Sequence, residues 1–361
     1  MITREQGPLN AAEVPKKVVE ESAIHTFLTD LSQTEGASDL LITVGKPPQL
    51  RIHNEIVSLD YEKLTPNDTK EFCLLLLNEE KTRQFLLEKE LDITVSLGGS
   101  GRYRVNMYQQ RGSMAMVARM IPHRAKSFEE LRLPQIIVHL ADIPNGLILV
   151  TGATGSGKSS TVAAIIDHIN QTRSCHIVTI EDPIEYIHSH DQSTVDQREV
   201  ASDTNSFSEA LRRVLRQSPD VVMIGEIRDR ESAQVAITLA ETGHLTLSTL
   251  HTRGAVATID RLIDMFPPEQ HSQIRAQLSA SLVGVVWQRL LPRIDQKGLV
   301  VACEVMIMTP AIRALIRKAN THEIYSAIQA GRKFGMCTME YMVASLAEKG
   351  LIDESWSNNS D

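Results

Sequence analysis

Apolar positions along this chain fall into two styles, and the change comes near residue 146. Ile24, Phe27, Leu28 and Leu31 recur at i, i+3, i+4 and i+7, which predicts a helix with one buried face. Residues 39–44 predict a strand, Gly45-Lys46-Pro47-Pro48 a turn, and residues 50–57 a returning strand. Residues 74–77 with Phe85, Leu86 and Leu87 read as helical. Residues 91–97 alternate strictly, Gly98-Gly99-Ser100-Gly101 turns, and residues 103–108 alternate again, the pattern of a β-hairpin. Residues 117–121 read as a further strand. The span 22–122 therefore predicts a mixed α+β domain, and the polar stretch 1–21 a flexible extension.

Pro122, Pro134 and Pro144 punctuate residues 123–146, which read as a linker and hinge with a short helix over 131–140. Past Gly146, residues 147–150, 177–180 and 221–224 are apolar throughout, and residues 244–248 read as another strand. Between them, Val162, Ile165, Ile166 and Ile169 share a helix face, as do Phe207, Leu211, Val214 and Leu215. Apolar strands interleaved with helices predict a parallel sheet covered on both faces. The last hundred residues read as mostly helical, with one strand at 299–305. The expected fold class is α/β, with a parallel-rich core sheet over 147–361.

Composition sharpens this mainly by exclusion. At 361 residues the chain suits two domains. Thirty-seven Lys+Arg against 45 Asp+Glu leave a net charge of −8, and aromatics are 4%, so no nucleic-acid partner is expected from bulk charge or base stacking. No run approaches eighteen apolar residues, and Met1-Ile2-Thr3-Arg4-Glu5 lacks the apolar core of a secretory signal. Cys73, Cys175, Cys303 and Cys337 form no CxxC pair, which excludes a zinc ribbon and fits a reducing cytosol. A cytoplasmic protein is the expectation.

The chemistry begins at Gly152-Ala153-Thr154-Gly155-Ser156-Gly157-Lys158-Ser159, a GxxxxGK[ST] match that follows one predicted strand and opens a predicted helix. Glycines let successive N–H groups curl around one anion, and the helix N-terminus adds partial positive charge. Gly152, Thr154, Gly155, Ser156, Gly157, Lys158, Ser159 and Ser160 are thus the expected ATP-phosphate ligands. Lys158 would neutralise β/γ charge, and the Ser159 hydroxyl would meet Mg²⁺. Glu226 stands just beyond the apolar strand 221–224, where ligands sit in parallel sheets. Gly225 occupies the place of the usual acidic residue, so Glu226 would meet the metal directly or through water. Glu181, Asp182 and Glu185 put three carboxylates into five residues, a repulsion that an adjacent metal–nucleotide complex would absorb. Glu185 is expected to polarise the attacking water, with Glu181 and Asp182 supporting the metal's surroundings. His244 and His251 flank a threonine-rich strand and are candidate sensors of the γ-phosphate. Their spacing does not suit zinc.

The glycine loop, the box Ile180-Glu181-Asp182-Pro183-Ile184-Glu185-Tyr186, the segment 216–229 and the box 242–252 occur in that order. This set resembles the secretion-superfamily ATPases, hexameric ring motors, and within them the type IV pilus retraction ATPases. The resemblance runs from about residue 22 onward and implies a RecA-like ATPase domain behind a PAS-like N-terminal domain. Residues 311–316 and 335–340 are similar to motifs of the retraction branch, although Ala314 stands where Asn is usual. That departure leaves a paralogous retraction ATPase, or a motor of another secretion system, as the alternative. The missing tetracysteine cluster favours retraction over assembly.

The resemblance further implies a homo-hexamer that hydrolyses ATP with Mg²⁺ and drives pilus retraction and twitching motility. It implies an inner-membrane pilus platform protein as partner, with a paralogous retraction ATPase as another, and a location at the membrane's cytoplasmic face. It assigns His244 and His251 to a histidine box, and it implies that Arg104 and Arg119, with Arg111 as a third candidate, reach the nucleotide from the N-terminal domain. Two other function classes compete: a weakly hydrolysing nucleotide-dependent adaptor, and a small-molecule kinase, for which no acceptor lid is evident.

Overall fold

The computed structural model describes residues 23–97, 101–122, 124–296 and 298–357, and the chain divides into two units between residues 123 and 124. The extension over 1–21 and the turn residues Gly98, Gly99 and Ser100 lie outside the described residues.

The N-terminal unit runs α1 (Ala23–Gln33), β1 (Ala37–Ile42), β2 (Gln49–Ile52), β3 (Glu55–Ser58), α2 (Pro66–Leu75), α3 (Glu79–Glu88), β4 (Glu90–Leu97), β5 (Gly101–Gln110) and β6 (Ser113–Ile121). Its strands form one antiparallel sheet in the order β3-β2-β1-β6-β5-β4. The i, i+3, i+4, i+7 face of α1 is buried, each such side chain contributing roughly 1.5–3 kcal/mol. Tyr103 on β5 is buried among them and donates its hydroxyl to the Leu28 carbonyl at 2.7 Å. The single strand expected over 50–57 is instead the hairpin β2–β3. His53 and Asn54 both take left-handed φ (47° and 71°), the two-residue turn that matches strand twist, and Asn is one of the few residues that accepts it readily.

The C-terminal unit continues with α4 (Phe128–Leu131), α5 (Gln135–Ala141), β7 (Gly146–Thr151), α6 (Lys158–Thr172), β8 (His176–Glu181), β9 (Thr194–Glu199), α7 (Phe207–Val214), β10 (Val221–Ile224), α8 (Arg230–Glu241), β11 (Leu245–Leu250), α9 (Ala255–Asp264), α10 (His271–Ser281), β12 (Leu282–Pro292), β13 (Leu299–Ile307), α11 (Pro310–Arg317), α12 (Ile324–Ala330) and α13 (Met339–Glu348). The sheet order is β13-β12-β7-β11-β10-β8-β9, parallel except where β13 runs against β12. The fold is therefore α/β with a mixed, mostly parallel sheet. Among the described residues no helix is long and apolar enough to cross a membrane.

Some expectations change here. Residues 124–146, read as linker and hinge, form α4 and α5, and their Phe128, Ile137 and Leu140 are buried in the core around α6 and β7. Pro134 splits the one helix expected there into two. The mostly helical C-terminal reading missed β12, whose stretch 282–287 without a charged residue looks the same in a buried strand and a buried helix. Sequence reading also missed β9, an edge strand that buries only Val195 and Glu199 and so shows no apolar alternation. Leu215, placed on the buried face of α7, is 46% exposed just past the helix end.

Candidate active site

Four parallel strands end side by side. Register pairs Thr151 of β7 with Leu250 of β11, and Ile224 of β10 with both Ser248 and Ile180. The segments leaving these strands are therefore gathered at one edge: the loop 152–157, Glu181 with the acidic box, Gly225-Glu226, and His251.

The loop is shaped by its glycines. β7 is buried at every position, and the chain then turns at Gly152 with φ 143°. A Cβ there would stand 2.5 Å from both the Gln288 carbonyl of β12 and Ser156 Oγ. Only glycine lets β7 hand over to the loop this close to β12. Gly157, at φ 87°, is the N-cap of α6 and provides no side-chain cap, so the first N–H groups of a fifteen-residue helix face the loop. Lys158 is 9% exposed and donates from Nζ to the carbonyls of Gly152 and Ala153, both at 3.0 Å. Burial pushes its ammonium pKa down, while the charges of Glu226 and Glu185 pull it back up. A cradle that a Cβ would fill, an uncapped helix start and a buried ammonium fit a polyphosphate.

Around the loop lies a cavity of about 750 Å³, with Lys158, Ser159, Glu181, Asp182, Glu185 and Glu226 in its wall. Glu226 is held from two sides, by Arg228 Nε at 3.0 Å and His251 Nε2 at 3.3 Å. Arg228 also approaches Asp182 at 3.9 Å. Glu185 is exposed at the cavity edge. Glu181 is buried and accepts from Thr179 Oγ1 (2.7 Å) and Gln197 Nε2 (3.1 Å), and burial raises its pKa. Ser160 and Tyr186 share a hydroxyl–hydroxyl hydrogen bond of 2.7 Å that ties the first turn of α6 to the acidic box. The oxygen-only set of Ser159, Glu226 and Asp182 suits Mg²⁺, which needs few protein ligands when phosphates supply the rest. Among the described residues no cluster of three or more His, Cys, Asp or Glu able to hold a metal occurs.

The structure thus brings together the loop residues, Glu181, Asp182, Glu185, Glu226 and His251. It does not bring His244 to them. His244 precedes β11, its Nδ1 3.0 Å from both the Leu239 carbonyl, which can only accept, and the Thr242 hydroxyl, while the cavity lies past the strand's other end. Seven residues of extended chain separate the two histidines by roughly 23 Å. The arginines lie in the N-terminal unit. Arg104 of β5 and Arg119 of β6 are direct cross-strand partners. Arg104 is exposed with no ion-pair partner among the described residues. Arg119 is bound to the buried carboxylate of Asp39 at 2.8 Å, which Arg51 also approaches at 3.4 Å. Arg111 (φ 49°) sits in the two-residue turn before Gly112.

Sequence reading missed Arg228, Tyr186, Gln197 and His188. Tyr186 falls inside the acidic box and Arg228 inside the segment 216–229, whereas Gln197 comes from the unrecognised β9. His188 lines the cavity, its Nδ1 lacks a hydrogen-bond partner among the described residues, and burial lowers its pKa from 6.5 to about 4. A depressed pKa gives stability that is present above pH 6.5 and lost as pH falls toward 4. Between pH 7 and 4.5 the wild type is expected to lose about 2 kcal/mol more unfolding free energy than His188→Gln. Urea unfolding at the two pH values checks this, and equal losses would show that the ring is not buried in its neutral form.

With this geometry in place, the chain can be classed. The family described as Type II/IV secretion system protein matches residues 116–360, and the chain belongs to it. Over 327 residues it is 43% identical to the type IV pilus retractation ATPase PilT of Pseudomonas aeruginosa, covering 91% of this chain and 95% of that protein. It is 41% identical to the type IV pilus ATPase PilU of the same organism, covering 90% of this chain and 85% of that protein. Among solved structures, the crystal structure of the pilus retraction motor PilT with bound ADP is similar at a TM-score of 0.86 and 43% identity, covering 94% of this chain and 96% of that one.

Proposed function

We propose that this chain is an ATP-hydrolysing motor of the retraction type, which powers type IV pilus retraction and twitching motility. The observation that carries the reading is the buried Lys158 at the uncapped start of α6, facing carboxylates from two neighbouring strand ends, in a chain 43% identical to a retraction ATPase over nearly its whole length. In this reading the unit around β7 is a RecA-like P-loop domain and the N-terminal unit is PAS-like. The loop amides and Lys158 grip the phosphates. Ser159 and Glu226 would hold a Mg²⁺, which would supply neutralisation of phosphate charge. Glu185 orients a water for in-line attack, and Arg228 and His251 hold Glu226 in place. A homo-hexamer at the cytoplasmic face of the inner membrane, working on a pilus platform protein, completes the proposal. Light scattering with and without ATP tests the ring, and monomers only would remove it.

A second reading, an accessory retraction ATPase, is favoured by the 41% identity to PilU. Deletion of the gene separates the two: loss of twitching with excess surface pili indicates the main motor, and retained twitching the accessory one.

The arginines should behave differently from each other. Arg104→Ala is expected to lower turnover by roughly 10³-fold while ATP binding stays nearly intact, as for an arginine that meets developing phosphate charge. Arg119→Ala is expected to cost about 1–3 kcal/mol of N-terminal unit stability, because Asp39 is 3% exposed and loses the nearer of its two arginine partners. Thermal unfolding and steady-state phosphate release on both variants check the pair. Equal loss of binding and turnover in Arg104→Ala would make that residue structural.

A further inference from the structure

The acidic box leaves β8 at Glu181, and the chain rejoins the sheet only at β9. Residues 182–190 in between make no backbone–backbone hydrogen bond among the described residues. Side chains take the place of the missing ladder. The Ile184 N–H donates to Glu199 Oε2 of β9 at 3.3 Å, and Asn170 of α6 donates from Nδ2 to the Ser189 carbonyl at 2.7 Å. Between these anchors one side chain, Gln197 of β9, makes three hydrogen bonds. Its Nε2 donates to Glu181 Oε1 at 3.1 Å and to the Tyr186 carbonyl at 2.8 Å, and its Oε1 accepts from the His188 N–H at 2.8 Å. The partners fix which way the amide faces: turned over, its oxygen would meet two acceptors. Thr179 Oγ1 also donates to Glu181 Oε1, at 2.7 Å, so carboxylate, amide and loop form one connected set.

Glu185 lies inside that set. The main-chain groups held on either side of it are the Ile184 N–H and the Tyr186 carbonyl, and both are held by β9. The Glu185 side chain is exposed in the cavity wall and has no hydrogen-bond or ion-pair partner among the described residues. Where its carboxylate reaches is therefore set by where its backbone is held.

We propose that Gln197 is a positioning residue for hydrolysis, which keeps Glu185 in the cavity wall by clamping the segment that carries it. This rests on reading Glu185 as the group that orients the attacking water. A misplacement of about 1 Å in such a group costs roughly 10²-fold in rate.

A double-variant cycle on the full chain tests it, with single-turnover hydrolysis of MgATP as the readout and calorimetry with MgADP beside it. Gln197→Met keeps the length of the side chain and removes all three hydrogen bonds. It is expected to slow hydrolysis roughly 10–10²-fold, with MgADP affinity within about threefold of wild type. In a Glu185→Gln background the same substitution should change the rate by less than about threefold, because a side chain that acts through Glu185 then has nothing left to place. A merely structural role would slow hydrolysis by the same factor in both backgrounds. Gln197→Glu keeps the shape and the acceptor for the His188 N–H, while its ionised carboxylate loses both donors. It should repeat the loss and the non-additivity, and it carries the cycle where Gln197→Met does not fold. Equal losses in the two backgrounds, a single-variant rate within about threefold of wild type, or a loss of MgADP binding that matches the loss of rate overturns the proposal. A Glu185→Gln rate within about threefold of wild type overturns instead the role given to Glu185, and this proposal falls with it.

Discussion

Lys158→Ala is expected to lower steady-state phosphate release by about 10²–10³-fold, the cost of removing one preorganised donor from a site where phosphate charge develops. Affinity for MgATP should fall as well, by the roughly 1.5–3 kcal/mol that a hydrogen bond to a charged group contributes. The geometry explains why the loss is large. Nζ is buried, held at 3.0 Å from two loop carbonyls, and so stands beside the curl of the loop without having to search for it. Lys158→Arg should not rescue turnover, because a planar guanidinium cannot occupy the position of a compact ammonium. Phosphate release within threefold of wild type would remove Lys158 from the phosphate site and with it the motor reading.

Glu185→Gln should give the second large effect and a different signature. A group that orients or deprotonates the attacking water contributes typically 10²–10⁴-fold, and an isosteric amide keeps the shape while removing the basicity. Glu185 is exposed at the cavity edge, so the substitution disturbs little of the fold. Turnover should therefore drop by about 10²–10⁴ while ATP binding stays within a few-fold. Calorimetry with MgATP, paired with single-turnover hydrolysis, separates binding from chemistry. Glu226→Gln is a less clean experiment, since Glu226 also anchors Arg228 and His251.

Parts of this site could be read from the chain because they are local. The glycine loop needs only a strand before it and a helix after it, all within about a dozen residues, and β7, Gly152, Gly157 and α6 follow that plan. Glu181 and Glu226 could be read because an apolar run predicts a buried strand, and the residue after a buried strand meets solvent or ligand. His244 was misplaced for a reason of direction. Two histidines beside one strand look equivalent in sequence, but β11 starts at Leu245 and runs parallel to β7, which sends only its far end, and so only His251, to the loop.

By itself the sequence determined the strands β7, β8, β10 and β11, the helices α6 and α7, the glycine loop and most of the carboxylates. These depend on periodicity and on backbone freedom within a few neighbours. Only the tertiary structure decided what Arg119, Glu181 and Glu304 do. Arg119 finds Asp39 eighty residues away, Glu181 is fixed by Gln197 from an edge strand with no apolar pattern, and the buried Glu304 accepts from Ala255 N at the start of a helix 49 residues before it. A buried charge takes whatever partner the packed chain delivers, and that partner leaves no mark on the residues adjacent in sequence.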